Sequence, residues 1–362
     1  MKPATTYGHN LLRRLHAGAA AKLAVCLVLT LVMPAACRKT PATLPPSKGL
    51  PYELVVIVPR VACEGALADS IDAVLRASTP VLPQHEPLFR LDIVKADAFG
   101  TDGYPQGRHL TPWRTFRLRL ILTVDRTAGA PSMGIATNVY ARPQTEVCVK
   151  ARSVAELAVY LGQVRERVVE IFTEAELAHE SAGLRRRHSR VTAETMQGVG
   201  HRVCTPTELN ARKVGVDFVW TGTNRGDRDQ NFVYYTYPWD GRALTIAGFV
   251  AKRDSVMRAN IPGSTPGQWM QTARLHGKDG SPADATPLAM ECWRVINNNV
   301  RVHEVRGLWE LHAGAMGGPF IAHERVDTVA RRVVVAEVFI FSPHSPKRNL
   351  LRQMEAALRT FE

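Results

Sequence analysis

The sequence predicts an α+β fold made mainly of antiparallel sheets covered by amphipathic helices, with two similar halves. Segments with strand periodicity alternate with segments of helical period along the chain. In Thr115–Val124, apolar residues occupy every second position, which predicts a half-buried antiparallel strand. The predicted halves, 50–190 and 205–362, each start with a strand and close with an amphipathic helix. This order favours a duplication, although unrelated α+β domains often share it.

The composition is typical of a globular protein, since 45% of the 362 residues are hydrophobic and 22% are charged. The formal net charge is +13, which by itself would suit nucleic acid. Residues 1–36 hold four basic and no acidic residues, so the charge falls to +9 without them. We therefore expect no nucleic acid partner for the exported protein.

Residues 1–36 have the pattern of a signal peptide. The apolar run Leu23–Met33 has 11 residues, which as a helix reach roughly 16 Å and are too short to span a bilayer core of about 30 Å. Small residues then lead to Cys37, and this resembles a bacterial lipobox in which that cysteine carries the lipid. Because Pro34 replaces the usual leucine, cleavage after Ala36 without lipidation is the alternative.

The segment 37–49 is predicted to be the lipidated cysteine and a tether. Arg38–Gly49 is rich in Pro, Thr and Ser, and in an extended form its twelve residues would reach roughly 37 Å. We expect a lipid-anchored protein of the outer membrane that faces the periplasm, with the membrane as a partner through Cys37.

Helix signals recur in both halves. Ser153 and Glu156 form a capping box at the start of a long helix, and Ser345 with Pro346 predicts the start of the closing helix. Between Ile261 and Ala289 no period is sustained, and so long a stretch inside a domain is usually functional or disordered. Further helices and strands are predicted at Glu53–Val58, Ala66–Ser78, Leu88–Val94, Ile135–Tyr140, Glu146–Lys150, Gly215–Thr221, Asn231–Tyr237, Thr245–Ala259, Val300–His312, Pro319–Val326 and Arg331–Phe341.

Motifs for catalysis, metals and cofactors are weak throughout, so no catalytic residue, metal ligand or cofactor is predicted. The dipeptides His303-Glu304 and His323-Glu324 lie in strand patterns, where neighbouring side chains point to opposite faces and cannot converge on one ligand. Cys63, Cys148, Cys204 and Cys292 have no zinc-like spacing. They predict either two disulfides or buried free thiols.

A candidate binding surface is predicted where the Ile261–Ala289 loop meets the turn Met316–Phe320. Glycines beside a proline allow close backbone approach, to a ligand or to another strand, and tryptophans offer binding platforms. The candidate residues are Asn260, Gly263, Trp269, Trp309, Met316, Gly317 and Gly318.

Several short phrases of the sequence are typical of one family. They are Asp217–Trp220, Tyr235–Pro238, Lys252–Val256, Asn260–Gly263, Gly307–Glu310 and Met316–Phe320, with Leu82–Gln84, Glu86–Phe89 and Pro143-Gln144 in the first half. Together they resemble an uncharacterised lipoprotein family of Bacteroidota, the domain-of-unknown-function family numbered 4837. The resemblance covers nearly all of the chain after the signal peptide, and it implies a lipoprotein signal and an α+β domain without any known activity.

Together these features predict a cell-envelope lipoprotein that binds or scaffolds an envelope protein or glycan. The alternative is an envelope hydrolase acting on peptidoglycan, lipid or glycan. A histidine or carboxylate that converges on Ser255, Ser264 or Thr265 would favour the hydrolase.

Overall fold

A computed structural model describes residues 43–60, 65–100, 104–275, 286–296 and 300–362. The chain divides into the units Met1–Leu44 and Pro45–Glu362, and the fold below is that of the second unit. The predicted signal peptide, Cys37 and residues 38–42 of the predicted tether lie outside the described residues, as do Cys63 and residues 276–285.

The first sheet has five strands in the order β2-β1-β5-β7-β6. Strands β1, β2, β5 and β7 are parallel, and only β6 runs antiparallel to its neighbour. The prediction for Thr115–Val124 is therefore wrong, because β5 lies between two parallel partners and is buried on both faces. The strands are β1 (Glu53–Pro59), β2 (Arg90–Ala96), β5 (Leu118–Val124), β6 (Ser132–Thr137) and β7 (Thr145–Ala151), and the short pair β3 (Ala98–Phe99) and β4 (Pro105–Gln106) follows β2.

Three helices cover one face of this sheet: α1 (Ala66–Leu75), α2 (Val154–Gln163) and α3 (Arg165–Arg186). The predicted cap at Ser153 is confirmed, since its hydroxyl accepts from the Glu156 amide at 3.2 Å. The predicted long helix is interrupted at Val164, and a further helix, α4 (Arg190–Gln197), follows α3. The opposite face of the sheet packs against the segment that contains the 3-10 helix Arg108–Trp113.

The second sheet is antiparallel throughout, in the order β11-β15-β16-β17-β10-β9-β8, and β14 also pairs with β15. Helix α5 (Ile246–Asn260) covers one face, while α4 and α6 (Arg348–Leu358) cover the other. The strands are β8 (Ala211–Gly215), β9 (Phe218–Gly222), β10 (Asp229–Pro238), β11 (Met270–Thr272), β14 (Ala289–Ile296), β15 (Val300–Leu311), β16 (Gly317–Asp327) and β17 (Arg332–Phe341), with the small pair β12 (Arg274–Leu275) and β13 (Thr286–Pro287) beside them.

The two regions are joined through α3, α6 and the segment before β2. Glu86 caps α6, because its carboxylate accepts from the amides of Lys347 at 2.7 Å and Arg348 at 2.8 Å. Ser345 was predicted to cap this helix. Helix α6 begins instead at Arg348, and the side chain of its N-cap residue, Lys347, makes no capping hydrogen bond. Farther along, the Ser181 hydroxyl of α3 donates to the Ala356 carbonyl at 2.9 Å.

The α+β class with mainly antiparallel pairing is confirmed over the chain as a whole. The expected similarity of the halves is wrong, because the first sheet is mostly parallel and the second is antiparallel. The predicted tether is also too long. Residues 45–48 already hydrogen-bond to the first region, for example from the Lys48 amide to the Thr115 carbonyl at 2.8 Å.

Candidate functional site

A cleft of about 700 Å³ lies where the two regions face each other. Its volume falls within the usual range for small-molecule sites, roughly 300–1,000 Å³. Helix α3 and residues between Ser78 and Leu88 form one wall. Strands β14 and β15 with helix α6 form the other wall and the floor.

Five side chains of alternating charge form what we call the ion ladder, and all but Glu304 line the cleft: Arg294, Glu304, Arg306, Glu355 and Arg352. Glu304 Oε1 accepts from Arg294 Nε and from Arg306 Nε, both at 2.7 Å. Arg306 also donates to both oxygens of Glu355, one contact being 3.3 Å, and Arg352 Nη1 donates to Glu355 Oε2 at 2.8 Å. The ladder thereby links two strands and one helix, because its members lie on β14, β15 and α6.

In the ladder, burial and ion pairing have opposite effects on the pKa values of the two glutamates, and the effect of ion pairing is larger. Burial by itself would raise the pKa of Glu355, but Arg306 and Arg352 lower it to about 2. Burial would likewise raise the pKa of Glu304, yet the bonds from His323 and Arg306 hold it far below its ordinary value. Both carboxylates are therefore ionised at neutral pH, and three guanidinium groups stand against two carboxylates.

Two of the guanidinium groups keep donors for a ligand. All three nitrogens of Arg306 donate within the ladder, whereas Arg352 makes its single hydrogen bond through Nη1 and Arg294 makes its own through Nε, counting only partners among the described residues. The Arg294 side chain is 40% exposed. A guanidinium fork with unused N–H groups is suited to planar anions such as carboxylates.

The α3 wall is lined by glutamates that are each paired with an arginine. Glu166 lies 3.8 Å from Arg165, Glu170 accepts from Arg167 at 2.7 Å, and both oxygens of Glu174 accept from Arg359, one of them at 2.8 Å. Apolar contacts come from Leu88, Val169 and Met290. The charges of this wall are thus balanced by neighbouring arginines.

Cys292 is exposed at the cleft, and its thiol donates to Glu304 Oε1 at 3.5 Å. Burial of the sulfur and the nearby Glu304 carboxylate raise the pKa of this thiol. Cys148, Cys204 and Cys292 are free thiols, so the alternative of two disulfides is wrong.

Comparison with protein families separates the two regions in the same way as the sheets do. Residues 188–360 match the model of DUF4837, a domain of unknown function, which is the predicted family. The C-terminal region is a DUF4837 domain. Residues 47–185 match a second model, DUF8532, also a domain of unknown function. The expected coverage by the first family of nearly the whole chain after residue 36 is therefore wrong. Comparison with curated proteins finds no match.

The cleft consequently lies between the DUF8532 region and the DUF4837 domain, which contributes the whole ion ladder. Sequence reasoning missed all five ladder residues. One signal was present, since Glu304 and Arg306 interrupt the apolar residues of a strand and Arg352 and Glu355 interrupt an apolar helix stripe. Charges at such buried positions require partners.

In each of the two His-Glu dipeptides of the DUF4837 domain, the neighbouring side chains point to opposite faces of the sheet. The dipeptides are nevertheless paired with one another across β15 and β16, with His303 opposite Glu324 and Glu304 opposite His323. His303 Nδ1 lies 2.9 Å from Glu324 Oε2, and His323 Nε2 lies 3.1 Å from Glu304 Oε2. His303 Nε2 also lies 2.6 Å from Glu291 Oε2, which ties the edge strand β14 to β15. The dipeptides are therefore cross-strand links.

The loop and turn predicted as a binding surface do lie together. The Trp269 carbonyl accepts from the His312 amide at 2.9 Å, and Gln268 Nε2 donates to the Ala313 carbonyl at 2.8 Å. Trp269 stacks on His312 with ring centroids 4.0 Å apart, and Met316 is 40% exposed.

The remaining candidates at this surface serve the packing of the domain. Trp309 is in the core, 4% exposed, with Nε1 donating to the Ile340 carbonyl at 3.2 Å, so its placement on a surface was wrong. A Cβ on Gly318 would lie 2.0 Å from the Ile340 oxygen, and one on Gly317 would lie 2.8 Å from the Trp309 oxygen. A Cβ on Gly263 would meet the Gln268 side chain, and Asn260 bonds back to its own helix.

The hydroxyls of Ser255, Ser264 and Thr265 would be the nucleophiles of the predicted alternative, a hydrolase. Within the described residues, no histidine or carboxylate hydrogen-bonds to the hydroxyl of Ser255, Ser264 or Thr265; the Thr265 amide bonds to Gln268 instead. In the same part of the chain, no cluster of three His, Cys, Asp or Glu side chains is placed to hold a metal ion. None of the helices described is both long and apolar enough to cross a membrane.

Proposed function

We propose that this protein is a lipid-anchored component of the cell envelope that binds a ligand or partner in the cleft between its two regions. The observation that carries the binding role is the ion ladder, a pre-ordered and buried charge array that ends in two guanidinium groups with unused donors. Pre-ordered polar groups in a concave site reduce the cost of ordering on binding.

The anchor rests on the export signal and Cys37. Since residues 45–48 are bonded to the folded region, the segment Arg38–Leu44 would connect the lipid to the fold. Its seven residues reach roughly 22 Å when extended, which keeps the domains near the membrane surface. We place the protein at the outer membrane, facing the periplasm, with an envelope protein or glycan as partner and without nucleic acid.

The cleft is preferred to the loop-and-turn surface as the docking site. Gly317, Gly318 and Trp309 are accounted for by contacts with neighbouring strands. An envelope hydrolase remains the alternative function, and the contacts of Ser255, Ser264 and Thr265 give it no support.

The anchor is tested by cell fractionation of Cys37→Ala, with Cys26→Ala in the apolar run as the matched control. We expect Cys37→Ala to leave the membrane fraction and Cys26→Ala to stay in it. A Cys37→Ala protein that still partitions with membranes overturns the lipid anchor.

The cleft is tested by the rate at which N-ethylmaleimide alkylates Cys292 in the full chain, measured by peptide mapping. Cys204, a free thiol outside the lining of the cleft, is the internal reference. Envelope extract should slow alkylation of Cys292 relative to Cys204, and cytosolic extract should not. Equal rates in both extracts would remove the support for binding in the cleft.

A further inference from the structure

We infer that a second, smaller cavity of the DUF4837 domain binds a monocarboxylate with a short apolar tail, and that Arg325 and His323 hold its carboxylate. The cavity has a volume of about 220 Å³ and lies on the face of the second sheet that also carries α6. It shares no lining residue with the cleft. The inference therefore goes beyond the proposed function and does not rest on it.

The two cross-strand histidines differ in their partners. The ring of His303 lies between two carboxylates, with Nδ1 2.9 Å from Glu324 and Nε2 2.6 Å from Glu291. His323 has only one, because Nε2 lies 3.1 Å from Glu304 while the buried Nδ1 has no hydrogen-bond partner among the described residues. The side chain is 4% exposed and lines the cavity. A buried polar atom without a partner is costly.

A ligand carboxylate would supply the partner that His323 lacks. The ring would then lie between two carboxylates, as His303 already does, with one proton taken up from solvent at Nδ1. Hydrogen bonds between an imidazolium and a carboxylate are charge-assisted, and they are roughly twice as strong as neutral ones.

Arg325 is a cation without a carboxylate partner at the same cavity. It follows His323 by two residues on β16, so both side chains lie on one face of the strand, with Cα atoms roughly 6.6 Å apart. Its guanidinium stacks on the Phe361 ring at 5.1 Å and makes no hydrogen bond or ion pair within the described part of the chain. Burial lowers the pKa of this half-buried group. A bound anion would offset the cost of burying its charge.

The carboxylates nearest to Arg325 are engaged elsewhere. Glu362 also lines the cavity, but its side chain accepts from Arg202 at 2.6 Å and lies 3.6 Å from Arg185. Asp327 accepts from two amides of the following turn, at 3.0 Å and 2.9 Å. The positive charge of Arg325 thus remains available to a ligand.

The rest of the lining indicates an apolar tail. Ile296, Val300, Val302 and Phe361 complete the wall. A volume of about 220 Å³ corresponds to about seven water molecules at roughly 30 Å³ each, so it accommodates a tail of a few carbon atoms. A short aliphatic tail would be removed from water against these side chains, whereas an inorganic anion would leave them uncovered.

The test is calorimetric titration of the full chain with hexanoate at neutral pH. The other probes are hexanamide, which keeps the tail without the charge, acetate, which keeps the charge without the tail, and inorganic phosphate. We expect hexanoate to bind, and hexanamide and acetate each to bind at least about tenfold more weakly. Phosphate should not compete with hexanoate.

Variants connect the binding to the two side chains. Arg325→Gln should weaken hexanoate binding at least about tenfold and bring its affinity close to that of hexanamide. Arg301→Gln is the matched control, since Arg301 likewise stacks on an aromatic ring, that of Trp293, but does not line the cavity. Val300→Phe fills the cavity without changing any charge and should also abolish binding.

A second readout follows His323 itself. In the chain labelled with ¹⁵N-histidine, the Nδ1 resonance that is lost in His323→Gln should shift when hexanoate is added and stay in place with hexanamide. A role in folding alone would not produce this shift, because the folded protein is present in both samples.

Four results would overturn the inference. Hexanoate may fail to bind at about 10 mM, or it may bind no more tightly than hexanamide. Arg301→Gln may weaken it as much as Arg325→Gln, or phosphate may bind where hexanoate does not, which would identify a site for inorganic anions. Alkylation of Cys292 reports on the cleft alone, so each proposal can fail without the other.

Discussion

Arg306 of β15 donates to both carboxylate oxygens of Glu355 of α6, and this pair fixes the helix on the sheet at the floor of the cleft. Both side chains are buried, at 10% and 2% exposed. Because each charge has been removed from water, neither partner can be lost without leaving the other uncompensated.

Replacing Arg306 with methionine should lower the free energy of unfolding by about 3–5 kcal/mol, since Glu304 and Glu355 would both lose a buried partner. The double variant Arg306→Met/Glu355→Met should recover part of this loss. Urea denaturation measures both. Arg190→Ala, which breaks an exposed pair with Glu194, is the control and should leave the urea midpoint nearly unchanged.

Acid should destabilise the protein through Glu355. Its pKa falls from 4.5 to about 2 on folding, so its contribution is present above about pH 4.5 and is lost as the pH falls towards 2. The urea midpoint should therefore decline between these values. The decline should be smaller in Glu355→Gln, and an identical decline in both proteins would contradict the assignment to Glu355.

Alkaline pH should loosen the edge strand β14 through His303. Burial by itself lowers the pKa of His303, but its bonds to Glu324 and Glu291 outweigh this and raise the pKa above 6.5. The stabilisation is complete below about pH 6.5 and is lost as the pH rises through the raised value. Amide exchange in β14, corrected for intrinsic rates, should quicken with pH, and His303→Gln should flatten this dependence.

Removing the Glu86 cap should weaken the attachment of the DUF8532 region to the DUF4837 domain. Glu86→Ala leaves the Lys347 and Arg348 amides without their acceptor and should cost about 1–2 kcal/mol in urea denaturation. His85→Ala changes the exposed neighbouring residue and should leave the midpoint unchanged. Equal midpoints for the two variants would show that the cap contributes nothing.

Gly318→Ala should destabilise the DUF4837 domain by about 3 kcal/mol or more, because the new Cβ would lie 2.0 Å from the Ile340 oxygen. Gly162→Ala is the control in the other region. Its Cβ would meet nothing within 4 Å, and alanine favours the helix there, so the unfolding free energy should rise by up to about 1 kcal/mol. Thermal or urea denaturation separates the two outcomes.

The sequence by itself determined much of the secondary structure, because periodicity and capping are local properties. The strands around Glu53–Pro59 and Arg332–Phe341 and the cap at Ser153 follow from neighbouring residues alone. The DUF4837 family was likewise recognisable from short phrases. Strand direction was not, since an alternating pattern in Leu118–Val124 does not record whether its neighbours run parallel.

Only the tertiary structure decided the site. Glu86 and Arg348 are far apart in the chain, and the five ladder residues come from two strands and one helix. In the hydrophobic periodicity of its own segment, each of these charged residues is only an exception to the pattern. What makes them a site is that burial removes water from all of them at once, so that each charge must be satisfied by a residue that only the fold brings near.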